Sequence, residues 1–238
     1  MKDIPVKDRL IFALDVASFD AARRWLDLLG DHVNFYKVGL QLFLAAGWPV
    51  VEEILEQGHK VMLDLKFFDI PETVQNAVTQ LRDRGVTFAT VHGNEPIIEA
   101  AVAAKGPVKI LAVTVLTSFD ESDLRAMGLT GTVEELVLRR AKKAVELGCD
   151  GVVASAKEAK ALRKDFGESF IIVTPGIRPG INPSIQTDDQ KRVTTAIQAI
   201  RDGSDYLVIG RPISKAKDPL KVVSQIQKEI EEGLKEQR

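Results

Sequence analysis

Eight short apolar or β-branched runs, each followed by a stretch with helical spacing of its apolar residues, predict an α/β protein closed into a single (β/α)8 (TIM) barrel. Strands that alternate with helices imply a parallel sheet, and eight such units over 238 residues suit a closed barrel better than an open doubly wound sheet. A dinucleotide-binding sheet needs a G-x-G-x-x-G turn after its first strand, whereas the first run here ends Ala13-Leu14-Asp15-Val16-Ala17. No Pro/Ser-rich linker or low-complexity segment interrupts the pattern, so residues 1–238 are expected to form one domain.

The runs are Leu10–Asp15, Asn34–Gly39, Lys60–Lys66, Phe88–Gly93, Val108–Val115, Asp150–Ser155, Phe170–Pro175 and Asp205–Arg211. Helix starts are marked between them. Ser18 stands at an N-cap position, and Pro71-Glu72-Thr73 opens a helix with proline in its first turn. Thr132 with Glu135 three positions later has the form of a capping box. Gly58, Gly85, Gly148 and Gly203 each fall between a helical stretch and the next strand, where C-capping glycines belong. The Lys/Glu-rich segment from Lys228 to Arg238 is expected to be the solvated end of a last helix.

Charge and cysteine content exclude several function classes. Lys+Arg number 32 and Asp+Glu 34, a net charge of −2, which argues against a nucleic-acid partner. Cys149 has no second cysteine to pair with and sits at a helix-to-strand turn, where a small packing residue is expected rather than a nucleophile. His32, His59 and His92 are scattered without metal-ligand spacing, so no metal site is expected. The first ten residues carry Lys2, Asp3, Lys7, Asp8 and Arg9 and lack the apolar region of a signal peptide. No apolar run approaches the ~18 residues of a membrane span. A cytoplasmic protein with no membrane partner is the expectation.

Barrel sites form at the C-terminal ends of the strands, so the charged residues there come first: Asp15, Lys37, Asp64, Lys66, Asp69, His92 and Arg211. Asp64 and Lys66 lie two apart in Met62-Leu63-Asp64-Leu65-Lys66 and should project from one strand face. Asp69 follows in the loop, and Lys37 closes the second strand. A lysine at a buried strand end needs carboxylates around it, so Lys37, Asp64, Lys66 and Asp69 are expected in one small volume. At the far end of the sequence, Gly210 and Arg211 precede a helix start, the usual place for a phosphate in such barrels. Arg178 lies on the long loop from Gly176 to Asp189, which has the length of a lid, and could reach the same phosphate. Thr117 and Ser118 end the fifth strand with adjacent hydroxyls suited to a polar heterocycle. His92 is expected to be a hydrogen-bonded structural residue, and no Ser/His/Asp triad is indicated.

The motif Asp64-Leu65-Lys66-Phe67-Phe68-Asp69-Ile70-Pro71, with Lys37-Val38-Gly39, resembles the orotidine 5′-phosphate decarboxylase family. So do Val113-Thr114-Val115-Leu116-Thr117-Ser118, Thr174-Pro175-Gly176-Ile177-Arg178-Pro179 and Ile209-Gly210-Arg211-Pro212, in family order from Leu10 to Pro212. The resemblance implies loss of CO₂ from C6 of orotidine 5′-phosphate to give UMP, the last step of pyrimidine nucleotide synthesis, with no metal, flavin or other cofactor. It implies Lys66 as proton donor, Asp64 beside the reacting carboxylate, and Asp15 and Lys37 near the ribose. Thr117 and Ser118 would face the pyrimidine, Arg178, Gln190, Gly210 and Arg211 would close on the phosphate, and Pro175 would be a further substrate-binding residue. Gln190 is preferred to Gln186 because Asp189-Gln190-Lys191-Arg192 matches the family's D-Q-x-R pattern. The family forms homodimers, and Asp69, Ile70 and Thr73 would complete the partner's site.

Two other readings stand beside this one. D-x-K-x-x-D alone also occurs in magnesium-dependent sugar-phosphate decarboxylases of the same superfamily, although these tend to carry an acidic residue where Lys37 stands. A non-catalytic barrel that binds a nucleotide would share the phosphate site without the chemistry.

Overall fold

Each predicted run forms a strand. The computed structural model describes residues 2–180 and 193–236. Its strands are β1 (Leu10–Ala13), β2 (Phe35–Gly39), β3 (Lys60–Phe67), β4 (Phe88–His92), β5 (Lys109–Val113), β6 (Gly151–Val153), β7 (Ile171–Thr174) and β8 (Tyr206–Ile209). They pair in parallel in sequence order, and β8 returns to pair with β1, which closes the barrel. Helices fill the connections, as an all-parallel sheet requires.

Alternation along the strands sorts the apolar residues into two cores. Ile11, Ala13, Phe35, Met62, Phe88, Leu111, Ile171, Val173 and Val208 form the cluster inside the barrel. Their neighbours, among them Leu10, Phe12, Tyr36, Val38, Leu63 and Ala89, pack outward against the helices. At the N-terminal end the rings of Phe35 and Phe88 lie 5.2 Å apart, and Tyr206 sets its edge against them at 5.9 and 5.1 Å. Three interlocked aromatics thus floor the lumen beneath the site. Below them the charged N-terminal segment turns through a short helix, Val6–Arg9. Arg9 is buried there and donates to the carbonyls of Lys2, Ile4 and Asp205.

Local signals in the sequence do what their chemistry suggests. Ser18 caps Phe19–Leu29 by accepting the Ala21 N–H, and Pro71 opens Pro71–Thr79. Thr132 and Glu135 cap each other's backbone at 3.1 and 2.9 Å to begin Val133–Glu146. Gly203 sits at φ +102°, and a Cβ there would lie 3.0 Å from the side chain of Arg163, so only glycine makes this turn into β8 without strain.

Two expectations need correction. Several runs overshoot their strands: β1 stops at Ala13, β5 at Val113, β7 at Thr174 and β8 at Ile209. One more backbone bond follows β1 and β5, from Leu14 N–H to the Lys37 carbonyl and from Thr114 N–H to that of Val153, and Asp15, Val115, Pro175 and Gly210 beyond them line the mouth of the barrel. The last helix, Pro219–Glu236, is not a purely solvated end, because Ile230 and Gly233 are buried. A Cβ on Gly233 would lie 2.9 Å from the Ile197 carbonyl, so this turn packs closely on helix Ala196–Arg201. The loop after β7 is described only at its base, where Ile177 bridges Thr194 and the Arg178 N–H donates to the Thr194 carbonyl at 2.8 Å. Gln186 and Gln190 lie outside the described residues.

Candidate active site

The C-terminal mouth of the barrel gathers an alternating row of charges from three adjacent strands. Lys37 within β2 places its Nζ 3.0 Å from Asp15 Oδ1 and 3.5 Å from Asp64 Oδ2. Asp64 on β3 accepts Lys66 Nζ on its other oxygen at 2.9 Å. The order is Asp15, Lys37, Asp64, Lys66. Lys37 and Asp64 are both only 9% exposed, whereas the Lys66 side chain is 34% and that of Asp15 59% exposed. Gly39 leaves room for this row, because a Cβ there would stand 3.0 Å from Lys37 Nζ.

Neighbouring charges override burial at the two central groups. Burial alone would lower the Lys37 pKa, but Asp64 and Asp15 hold it above the ordinary lysine value. Burial alone would raise that of Asp64. The ammoniums of Lys37 and Lys66, with hydrogen bonds from Lys66 and Thr90, hold it below the ordinary carboxylate value instead. Both stay ionised across neutral pH.

The backbone that carries Asp64 and Lys66 is irregular. Leu63 pairs with Ala89 and Phe67 with Val91, so Asp64, Leu65 and Lys66 stand opposite the single residue Thr90. Lys66 takes φ +48°, the only positive value at a non-glycine residue among those described. Left-handed backbone at such a residue costs roughly 1–2 kcal/mol. It re-aims the side chain as bulges beside active sites do. The buried Thr90 hydroxyl accepts the Lys66 N–H at 3.0 Å and donates to Asp64 Oδ1 at 2.9 Å.

These charges open on a cavity of about 290 Å³ floored by Ala13, Met62, Val113, Val153 and Val208. Thr117 and Ser118 line it beyond the end of β5, the first buried and the second exposed. Pro175, Arg178, Gly210 and Arg211 line it beyond β7 and β8. Desolvation and then the charge of Arg211 lower the pKa of Arg178, so two cations face a shared space, the setting an anion fits. In the closed strand order β7, before Arg178, lies four strands from β3, and β8, before Arg211, lies three strands from it beside β1.

Asp69 does not join the row in its own chain. The strand ends at Phe67, and Asp69 is exposed at the rim, its Oδ1 accepting the Ile70 N–H at 2.7 Å. The second carboxylate of the row is Asp15 from β1. Ile70 and Thr73 are likewise exposed and do not line the cavity. His92 has its Nδ1 2.8 Å from Asn94 Oδ1 and its ring over Phe68, 4.5 Å between centroids. Burial pushes the Cys149 thiol up to about 11, and it donates to the Ile110 carbonyl. No group of three or more His, Cys, Asp and Glu able to hold a metal ion occurs among the described residues. Thr90 went unnoticed in the sequence, where a threonine within Phe88-Ala89-Thr90-Val91-His92 reads as an ordinary strand residue.

A closed barrel with charges preorganised at its C-terminal mouth and an anion-fitting edge beyond β7 and β8 defines an enzyme of the (β/α)8 class. Residues 8–226 match the family described as orotidine 5′-phosphate decarboxylase / HUMPS. The orotidine 5′-phosphate decarboxylase of Methylococcus capsulatus is 51% identical over 230 residues, which cover 96% of this chain and 94% of that one. The enzyme of the same name from Nitrobacter winogradskyi is 47% identical over 231 residues, 96% of this chain and 95% of its own. The crystal structure of orotidine 5′-phosphate decarboxylase from Lactobacillus acidophilus superposes with a TM-score of 0.81 at 38% identity, covering 94% of this chain and 99% of that one. The chain belongs to the orotidine 5′-phosphate decarboxylase / HUMPS family. No helix among the described residues is long and apolar enough to cross a membrane.

Proposed function

We propose that this chain is a cofactor-independent decarboxylase that converts orotidine 5′-phosphate to UMP and CO₂, the last step of de novo pyrimidine nucleotide synthesis. The observation that carries this reading is the buried Lys37–Asp64 pair with the half-buried Lys66 against it at the cavity wall. Loss of CO₂ from C6 leaves a carbanion with no carbonyl placed to delocalise it. A site without a cofactor must lower that barrier by on the order of 20 kcal/mol, near the top of the range enzymes reach. Preorganised charge is the means available. The ammonium of Lys66 stabilises the negative charge that builds at C6 and then delivers the proton that replaces CO₂. Asp64, held ionised by its two lysines, stands beside the substrate carboxylate and raises the energy of the bound ground state. Lys37, with Asp15, fixes Asp64 and reaches the ribose.

The remaining residues bind. Arg178, Gly210 and Arg211 take the phosphate, with Gln190 added from the loop after β7, and this remote grip supplies binding energy for the chemical step. Thr117 and Ser118 hold the pyrimidine edge, with Pro175 against the ring. A homodimer accounts for Asp69, Ile70 and Thr73: exposed at the rim in their own chain, they complete the partner's site. The apolar Phe68, Ile70, Leu116 and Met127, exposed by 64%, 64%, 43% and 61%, give such a contact its hydrophobic area. The protein would act in the cytoplasm.

The test is turnover of orotidine 5′-phosphate in excess EDTA, followed by loss of orotate absorbance and release of CO₂. Undiminished turnover supports the reading. Loss of turnover restored by magnesium would favour a sugar-phosphate decarboxylase, and UMP binding without turnover would favour a non-catalytic nucleotide-binding barrel.

A further inference from the structure

The bulge in β3 hands two groups of the charged row to one hydroxyl. Because Asp64, Leu65 and Lys66 face only Thr90 across the ladder, the Lys66 N–H has no strand carbonyl to pair with. Thr90 Oγ1 accepts it at 3.0 Å and donates its own hydrogen bond to Asp64 Oδ1 at 2.9 Å. Thr90 is 0% exposed, so water does not substitute for either bond. The geometry demands a side chain that donates and accepts at the same atom, that is branched to suit a strand, and that is small enough for a filled wall. Threonine meets all three conditions. Valine has its shape with neither polar function, and serine has both functions without the methyl.

We infer that Thr90 is a positioning residue: its hydroxyl locks the Asp64 carboxylate to the left-handed backbone of Lys66 and so sets where the Lys66 ammonium stands. What that ammonium does rests on the decarboxylase reading; the lock itself does not. Thr90 touches no cavity space, and its effect runs entirely through its two partners. Its loss therefore damages the chemical step and spares the binding contacts on β5, β7 and β8.

The experiment compares Thr90→Val and Thr90→Ser with the wild type in two measurements. In steady-state kinetics T90V lowers kcat by about 10- to 100-fold, the scale of a buried polar group left unpaired, while KM stays within about twofold. T90S restores kcat to within about threefold of wild type, since its hydroxyl remakes both bonds. In backbone amide exchange the Lys66 N–H is protected in wild type and T90S and exchanges faster in T90V. If T90V does not fold, Thr90→Ala removes the same hydroxyl without pressing a methyl against two polar groups, and the same outcomes apply. Wild-type kcat in T90V, or kcat and KM worsening together with no recovery in T90S, overturns the inference. Should the wild type fail to turn over orotidine 5′-phosphate, the decarboxylase reading falls. The amide comparison still decides the lock, and unchanged Lys66 exchange in T90V sinks it.

Discussion

Replacing Lys37 with methionine removes the ammonium that sits between two carboxylates, and the structure sets the size of the result. Lys37 Nζ lies 3.5 Å from Asp64 Oδ2 with both groups 9% exposed. At an effective dielectric near 20 that separation corresponds to roughly 5 kcal/mol of attraction. Desolvation of the two ions offsets much of it. The 3.0 Å contact to Asp15 adds little, because that carboxylate is 59% exposed and screened by solvent. The full penalty appears when one partner is removed and the other stays buried. Lys37→Met should therefore destabilise the fold by about 3 kcal/mol, the low end for a broken buried pair, since Lys66 and Thr90 still face Asp64. Asp64→Asn should cost a similar amount. The double variant should cost about 2 kcal/mol less than the two single losses combined, because no unpaired charge remains between them. Urea denaturation followed by far-UV circular dichroism at pH 7 measures all three. The pH dependence has a definite sign. The folded carboxyl of Asp64 titrates below its unfolded value of 3.8, so its contribution is complete above that pH and disappears as pH falls through the folded value. The folded ammonium of Lys37 titrates above 10.5, so its contribution is complete below that pH and is lost as pH rises through the folded value. The Lys37→Met penalty should thus be constant between these limits and shrink outside them. Additive single losses, within about 0.5 kcal/mol, would refute the coupling and the electrostatic account of the row.

Lys66→Ala should cut decarboxylation at least ~10³-fold while leaving UMP binding by calorimetry nearly unchanged, since the residues proposed to take the phosphate stand beyond β7 and β8 and not on β3. Arg211→Ala should weaken UMP about 30- to 100-fold and uridine hardly at all; equal losses for both would remove the phosphate from Arg211. Mixing Lys66→Ala with Asp69→Ala subunits should restore about a quarter of wild-type activity, because half the dimers are mixed and each of those holds one site with both residues intact. Continued inactivity in verified mixed dimers would place the whole site in one chain.

The strands were legible because β-branched runs bounded by glycines have one reading once helices separate them, and all eight form where the apolar pattern lies. Their ends were not, since a residue such as Asp15 or Val115 looks the same whether it pairs in a ladder or leaves it to line a mouth. Lys37, Asp64 and Lys66 stood out because charge at a buried strand end requires a partner. Spacing, however, does not bring Asp69 to the row within its own chain, where Asp15 takes the place expected for it. Asp69 is only five residues from Asp64 in sequence, while Asp15 is 49 positions away and is brought in by the pairing of β1 with β2. Thr90 carried no signal at all: its role exists only because β3 slips against β4, and nothing in Leu63–Phe67 announces a slip.

That slip also explains how a strained lysine persists in a filled barrel. Regular pairing at Leu63↔Ala89 below and Phe67↔Val91 above holds the backbone at both ends of the bulge, so Lys66 cannot relax without breaking ladder bonds on either side. The strain, the pairing of the Lys66 N–H with a side chain instead of a strand carbonyl, and the burial of two opposite charges are all met during folding, before any substrate arrives. Flexible loops at the same positions would leave part of that reorganisation to the reaction itself. Hydrophobic residues of similar volume could replace the row with little loss of stability, or even a gain, because desolvation consumes most of its attraction. Its retention therefore has to be explained by chemistry rather than by the fold. The two parts of the cavity follow this division: Lys37, Asp64 and Lys66 stand on the paired strands β2 and β3, and the residues proposed to hold the ligand stand on the loops after β5, β7 and β8.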